Sequence, residues 1–153
     1  MNHKNWIIAS GFLWFAIGAS LLYKGLGFIA AATFLPDSFC MRWQQVFGSP
    51  QQGGIVLIGV GMGVGLMKGL FVLSKTVQRV TGRIRGLTLP IRVSQVYAKS
   101  YWLVIGAMVG LGMSLRFLSI PLDVRGVIDV AIGSALLVGS LLYFREAMYT
   151  ETT

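Results

Sequence analysis

The stretch from residue 53 to residue 73 constrains this chain more than any other. Twenty-one positions carry one charge, Lys68, and no proline. A helix of about 20 apolar residues crosses the hydrocarbon core of a bilayer. A soluble domain would have to bury such a run on every side. With 55% hydrophobic and only 12% charged residues, this 153-residue chain has too little polar surface to do that. The expected class is therefore an all-α membrane protein.

The same stretch is rich in glycine. Gly61, Gly65 and Gly69 lie four apart, and Gly59 and Gly63 form a second row on another face. In lipid, helices associate through close backbone contact, so each row marks a packing seam. One seam is expected to serve helices of the same chain. The other is left for a second copy or for the wall of a pore, unless both seams are internal to the chain.

Beyond the apolar run, Lys75, Arg79 and Arg83 recur every four residues and form one stripe on a continuing helix. Gly82, Gly86 and Pro90 limit that helix. A basic segment over 75–96, which also holds Arg85 and Arg92, is expected to lie on headgroups and become looser after Arg83. It is the candidate contact for anionic lipid or for a membrane-protein partner.

Three further spans follow from apolar length: 6–34, 97–118 and 127–144. The first exceeds a signal-peptide core and is interrupted by Lys24, so it is expected to be a retained helix. Gly106, Gly110 and Ser114 give the third span its own small-residue seam. Ala131, Ala135 and Gly139 do the same for the fourth. Between the first two spans, Pro36-Asp37-Ser38 breaks one helix and caps the next. Phe39, Trp43, Val46 and Phe47 then share one face of a short interfacial helix, or else anchor an interfacial loop by their aromatic rings. Residues 1–153 are read as one compact four-helix domain. A weak internal repeat, Gly18 and Lys24 with Gly110 and Arg116, suggests a 2+2 parallel arrangement. The 53–85 stretch is expected to be the packing hub.

Basic residues set the orientation. With the N-terminus inside, one side collects Lys4, Lys75, Arg79, Arg83, Arg85, Arg92, Lys99 and Arg145. The other collects Arg42 and Arg125, with Lys24 and Arg116 near helix ends. Both termini are expected to be cytoplasmic, in a membrane of the bacterial inner type. The net charge of +8 is thus read as topology and headgroup contact. No base-stacking aromatics accompany the basic residues, and nucleic acid is not an expected partner.

Chemistry has few candidates. His3 is the sole histidine and Cys40 the sole cysteine, so no internal disulfide, metal site or haem ligation is expected. No pair of carboxylates suits general acid and base roles, and the span serines have no activating neighbour. No catalytic activity and no cofactor are expected. Ionisable groups within spans are costly and are the default functional residues. These are Lys24, Lys68, Arg116 and Asp129, with Asp129 placed to pair with Arg125, Arg116 or Lys24. Two classes follow. One is a homo-oligomeric transporter or channel for a small anion or polar solute, with those four residues along its path. The other is a non-catalytic accessory or lipid-binding protein that uses its basic segment. In the second, Lys24, Lys68 and Arg116 only reach for headgroups.

Overall fold

The computed structural model describes residues 3–86, 106, 110, 113–114, 117–118 and 120–149. Among them the chain is helical and contains no strand. Helix α1 is His3–Ala32, followed by two short turns, α2 (Phe39–Arg42) and α3 (Gln44–Phe47). Helix α4, Pro50–Lys68, passes through a π turn at Gly69–Leu73 into α5, Ser74–Arg85. Helix α6 is Leu122–Tyr149. The segments Lys4–Ala32, Pro50–Ile84 and Leu122–Tyr149 are long and apolar enough to cross a membrane. Most of the expected third span, 97–118, lies outside the described residues, as do Arg92, Lys99 and Arg116.

Local chemistry moves the expected boundaries. Helix α4 starts three residues early because Ser49 caps it. The Ser49 hydroxyl accepts from the Gln52 N–H at 3.3 Å, and Pro50 fills the first position, where no N–H is needed. At the other end the helix passes through Arg83 and continues to Arg85, and the rest of the expected looser segment, 87–94, lies outside the described residues. Helix α1 stops at Ala32, ahead of Pro36. The interfacial helix is two turns, broken at Trp43, and Gly48 closes it at φ +81°. Ser38 caps α2, as expected, by accepting from the Met41 N–H at 3.2 Å. The rings of Phe39, Trp43 and Phe47 still form one row, with centroids 5.3 and 6.5 Å apart.

Among the described residues helix α6, rather than the 53–85 stretch, is the hub. Small residues recur every seven positions in α1 (Gly11, Gly18, Gly25, Ala32) and in α6 (Gly126, Gly133, Ser140, Ala147), and all eight are buried. The two rows face each other antiparallel. A Cβ on Gly18 would lie 3.0 Å from the Gly133 carbonyl oxygen, and one on Gly25 would lie 2.8 Å from that of Gly126. A heptad period keeps such a seam aligned along a left-handed supercoil. On another face of α6, Gly61 meets Val127 and Val130, Gly65 meets Ala131 and Ser134, and Gly69 meets Ala135 and Val138. That register advances in the same direction on both helices, so α4 and α6 are parallel. Helices α1 and α4 touch much less; a Cβ on Gly54 would reach Thr33 at 3.2 Å.

These directions define two ends. The upper end holds the end of α1, the start of α4 and the start of α6. The lower end holds the start of α1, α5 and the end of α6. The end of α5 and the start of α6 are therefore at opposite ends of the bundle.

Candidate functional site

At the lower end, α5 is divided along its length. Val77, Val80, Thr81 and Ile84 are buried. The three aliphatic residues pack with Ile7 of α1 and with Tyr143 and Ala147 of α6. Lys75, Arg79 and Arg83 are exposed on the other side, one turn apart. The π turn makes this division possible. Positions four apart drift by about 40° per step on an α-helix, so Val77 would face about 160° away from Gly61. The extra residue of a π turn takes back part of that drift. Leu73 consequently lands on α6, where a Cβ on Gly139 would lie 3.1 Å from it. The basic stripe is thus held outward by a packed apolar stripe. The backbone of Arg85 belongs to the same helix.

The upper end carries the second set of charges. Lys24 is exposed and Asp129 half-buried, with Lys24 and Arg125 both acting electrostatically on the Asp129 carboxylate. The Arg125 guanidinium lies 4.8 Å over the Phe28 ring, which gives this cation an aromatic partner on α1. Lys68 is exposed on α4, about two helical turns further down than Lys24 when both are read against α6. The described bundle therefore brings Lys24 and Asp129 together and leaves Lys68 apart. The α1–α6 and α4–α6 seams are closed by near backbone approach at Gly18, Gly25, Gly61 and Gly65, beside the buried side chains of Ile29, Val130 and Leu136. Ser10, Ser134 and Ser140 spend their hydroxyls within their own helices, donating to carbonyls three or four residues earlier at 2.7–3.1 Å.

Of the glycines singled out, Gly61, Gly65 and Gly69 form the α6 seam. Gly59 and Gly63, like Gly106 and Gly110, have no described residue within 4 Å of where a Cβ would stand.

One residue escaped sequence reading. Asp123, in the first turn of α6, is fully buried. Its carboxylate accepts from the backbone N–H groups of Phe39 and of Cys40 (3.2 Å), and from Val124 at 2.9 Å. It thereby ties the start of α2 to the start of α6. Cys40 is buried beside it; burial, and then the Asp123 charge, push its thiol above the ordinary range. The neutral thiol is the form the fold prefers. Its stabilisation is complete below the ordinary thiol value and is lost as pH rises through the elevated one. Maleimide labelling of folded protein at pH 8, followed by mass spectrometry, is expected to run at least tenfold slower than in unfolded chain. Equal rates would mean that the α2 turn does not shield the thiol.

No protein-family model, curated protein or solved structure matches this chain.

Proposed function

We propose that this is a four-span, non-catalytic membrane protein that holds anionic headgroups, or an acidic partner on the same membrane face, on the basic side of α5. The observation that carries the reading is the divided α5. Its apolar stripe is locked into the bundle, so Lys75, Arg79 and Arg83 are presented in a fixed array at the surface. A merely solvated charge run would need no such anchoring. Residues 97–118 supply the fourth span in this reading. The parallel run of α4 and α6 supports it, because the chain between them has to return from the lower end to the upper. Parallel α4 and α6 also have the relative direction that a 2+2 repeat requires.

The lower end is cytoplasmic in this reading. It gathers the N-terminal end of α1, the basic α5 and the C-terminal end of α6, which is the side the basic residues favour. A bacterial inner membrane is the proposed location. Each basic residue near an anionic surface contributes about a factor of five in affinity. Replacing Lys75, Arg79 and Arg83 together by glutamine is expected to lower anionic-lipid retention roughly a hundredfold while helicity is kept. Native mass spectrometry from nanodiscs of mixed phosphatidylglycerol and phosphatidylcholine reads the change. Retention that stays the same, and does not respond to salt, would remove α5 as the binding surface.

A homo-oligomeric channel or transporter is the second reading. The Gly59 and Gly63 face, with no described neighbour, favours it as a place for another copy. Lys24, Lys68, Arg116 and Asp129 are the path residues it needs. Anion flux in liposomes that disappears in Lys68→Gln, with the fold intact, would favour it over the first.

A further inference from the structure

At the upper end the segment between α1 and α4 forms a hollow of about 650 Å³, lined by Met41, Arg42, Gln44, Gln45 and Gly48. We propose that this hollow holds the phosphodiester headgroup of one phospholipid of the upper leaflet. The Arg42 guanidinium and the Gln44 and Gln45 carboxamides are the donors. The site lies at the opposite end of the bundle from α5 and does not depend on it.

The hollow comes with the break in the interfacial segment. On an unbroken helix Met41, Gln44, Gln45 and Gly48 would form one straight ridge. Instead Trp43 leaves the helix at φ −99°, ψ 14°, and Gly48 turns the chain at φ +81°. The lining residues come from both sides of the break at Trp43. Both sides are tied to the bundle. The N–H groups of Phe39 and Cys40 donate to Asp123 at the start of α6. The start of α4 lies against the segment, where a Cβ on Gly53 would be 3.5 Å from the Cys40 backbone and from the Phe47 ring. The Gly48 N–H donates to the Gln44 carbonyl at 2.8 Å. A ligand entering the hollow therefore has little chain to order.

The lining chemistry selects the occupant. Arg42 carries N–H donors in a planar fork, and each glutamine adds a carboxamide N–H pair. Among the described residues no carboxylate lines the hollow or pairs with Arg42. Such a site suits a monoanion with several acceptor oxygens, which is the form of a phosphodiester. The carboxamide oxygens are left to accept from headgroup hydroxyls. Small-molecule sites run from about 300 to about 1,000 Å³, so the hollow has room for a whole headgroup. Its depth points to lipid as the carrier of the phosphate. Phe39, Trp43 and Phe47 form one aromatic row, with Trp43 45% exposed and Val46 66% exposed beside it. Rings of this kind settle at headgroup level.

The test uses the full chain with Lys75, Arg79 and Arg83 already replaced by glutamine, so that α5 contributes nothing. Protein released from phosphatidylglycerol nanodiscs is examined by native mass spectrometry at increasing collision energy. One phospholipid is expected to persist after the loosely held lipids have gone. Arg42→Gln is expected to lower that retained fraction about tenfold, and Gln44→Ala with Gln45→Ala about threefold. All three side chains are exposed, so helicity is expected to be kept, and circular dichroism checks it. Arg42→Lys, which keeps the charge but not the fork, replaces Arg42→Gln if the latter does not fold. Nanodiscs of a neutral, phosphate-free galactolipid are expected to leave no lipid bound, and excess inorganic phosphate is expected not to displace phosphatidylglycerol. Retention unchanged in the folded Arg42 variant, equal retention of the galactolipid, or no lipid outlasting the general loss overturns the proposal. Displacement by inorganic phosphate would make the hollow a free-ion site and overturns it as well.

Discussion

Gly65→Ala is expected to destabilise the protein by about 3 kcal/mol, against the ordinary preference of a helix for alanine. A Cβ there would run into the Ser134 hydroxyl and the Ala131 carbonyl oxygen. The carbonyl is backbone of the hub helix and cannot step aside. The Ser134 hydroxyl is committed to Val130 at 2.8 Å. The two helices would have to separate along the seam that Gly61 and Gly69 extend. Gly63→Ala is the matched control. It lies two residues away, has no described neighbour within 4 Å, and is expected to be neutral or to gain up to about 1 kcal/mol. Unfolding in mixed micelles, followed by helical circular dichroism, measures both. Equal effects at the two positions would mean that the α4–α6 seam is wrong.

Asp123→Ala is expected to cost about 3–4 kcal/mol. Hydrogen bonds to a charged group contribute about 1.5–3 kcal/mol each, and a donor left buried without a partner costs about 1–3 kcal/mol. The N–H groups of Phe39 and Cys40 would both lose their acceptor, and the α2 turn would come free of α6. Asp123→Asn keeps one oxygen acceptor and is expected to lose about half as much. The local result is as specific as the global one. Maleimide labelling of Cys40 at pH 8 should rise at least tenfold in Asp123→Ala, whereas Gly65→Ala should leave it slow under folding conditions. A thiol that stays protected in Asp123→Ala would show that something other than this carboxylate holds α2 in place.

Apolar length alone made three of the helices legible, and four-residue glycine spacing identified the seam that joins α4 to α6. Spacing by seven was equally present in the chain, as Gly11, Gly18, Gly25, Ala32 and Gly126, Gly133, Ser140, Ala147. Reading only by fours hid it, and with it the role of α6. The latch was a different kind of miss. Asp123 follows Pro121 as a turn residue would, and the groups it serves are more than eighty residues away. No local pattern reports such a partner. The basic stripe of α5 was legible because one residue type repeats each turn. The π turn that keeps its apolar side on α6 was not, since nothing in Gly69–Leu73 departs from ordinary span composition.

The position of the hub at Leu122–Tyr149 has a consequence for how the protein is made. Roughly ninety residues separate the end of α1 from the start of α6, which at ribosomal speeds is on the order of 5–20 s. During that interval α1 and α4 have entered the membrane with little to bind each other. Their glycine rows still lack the α6 surface they meet in the fold. Closure of these two seams is therefore a late step. A nascent chain arrested before Leu122 should leave both glycine rows without the partner they meet in the fold, and the arrival of α6 closes the two seams.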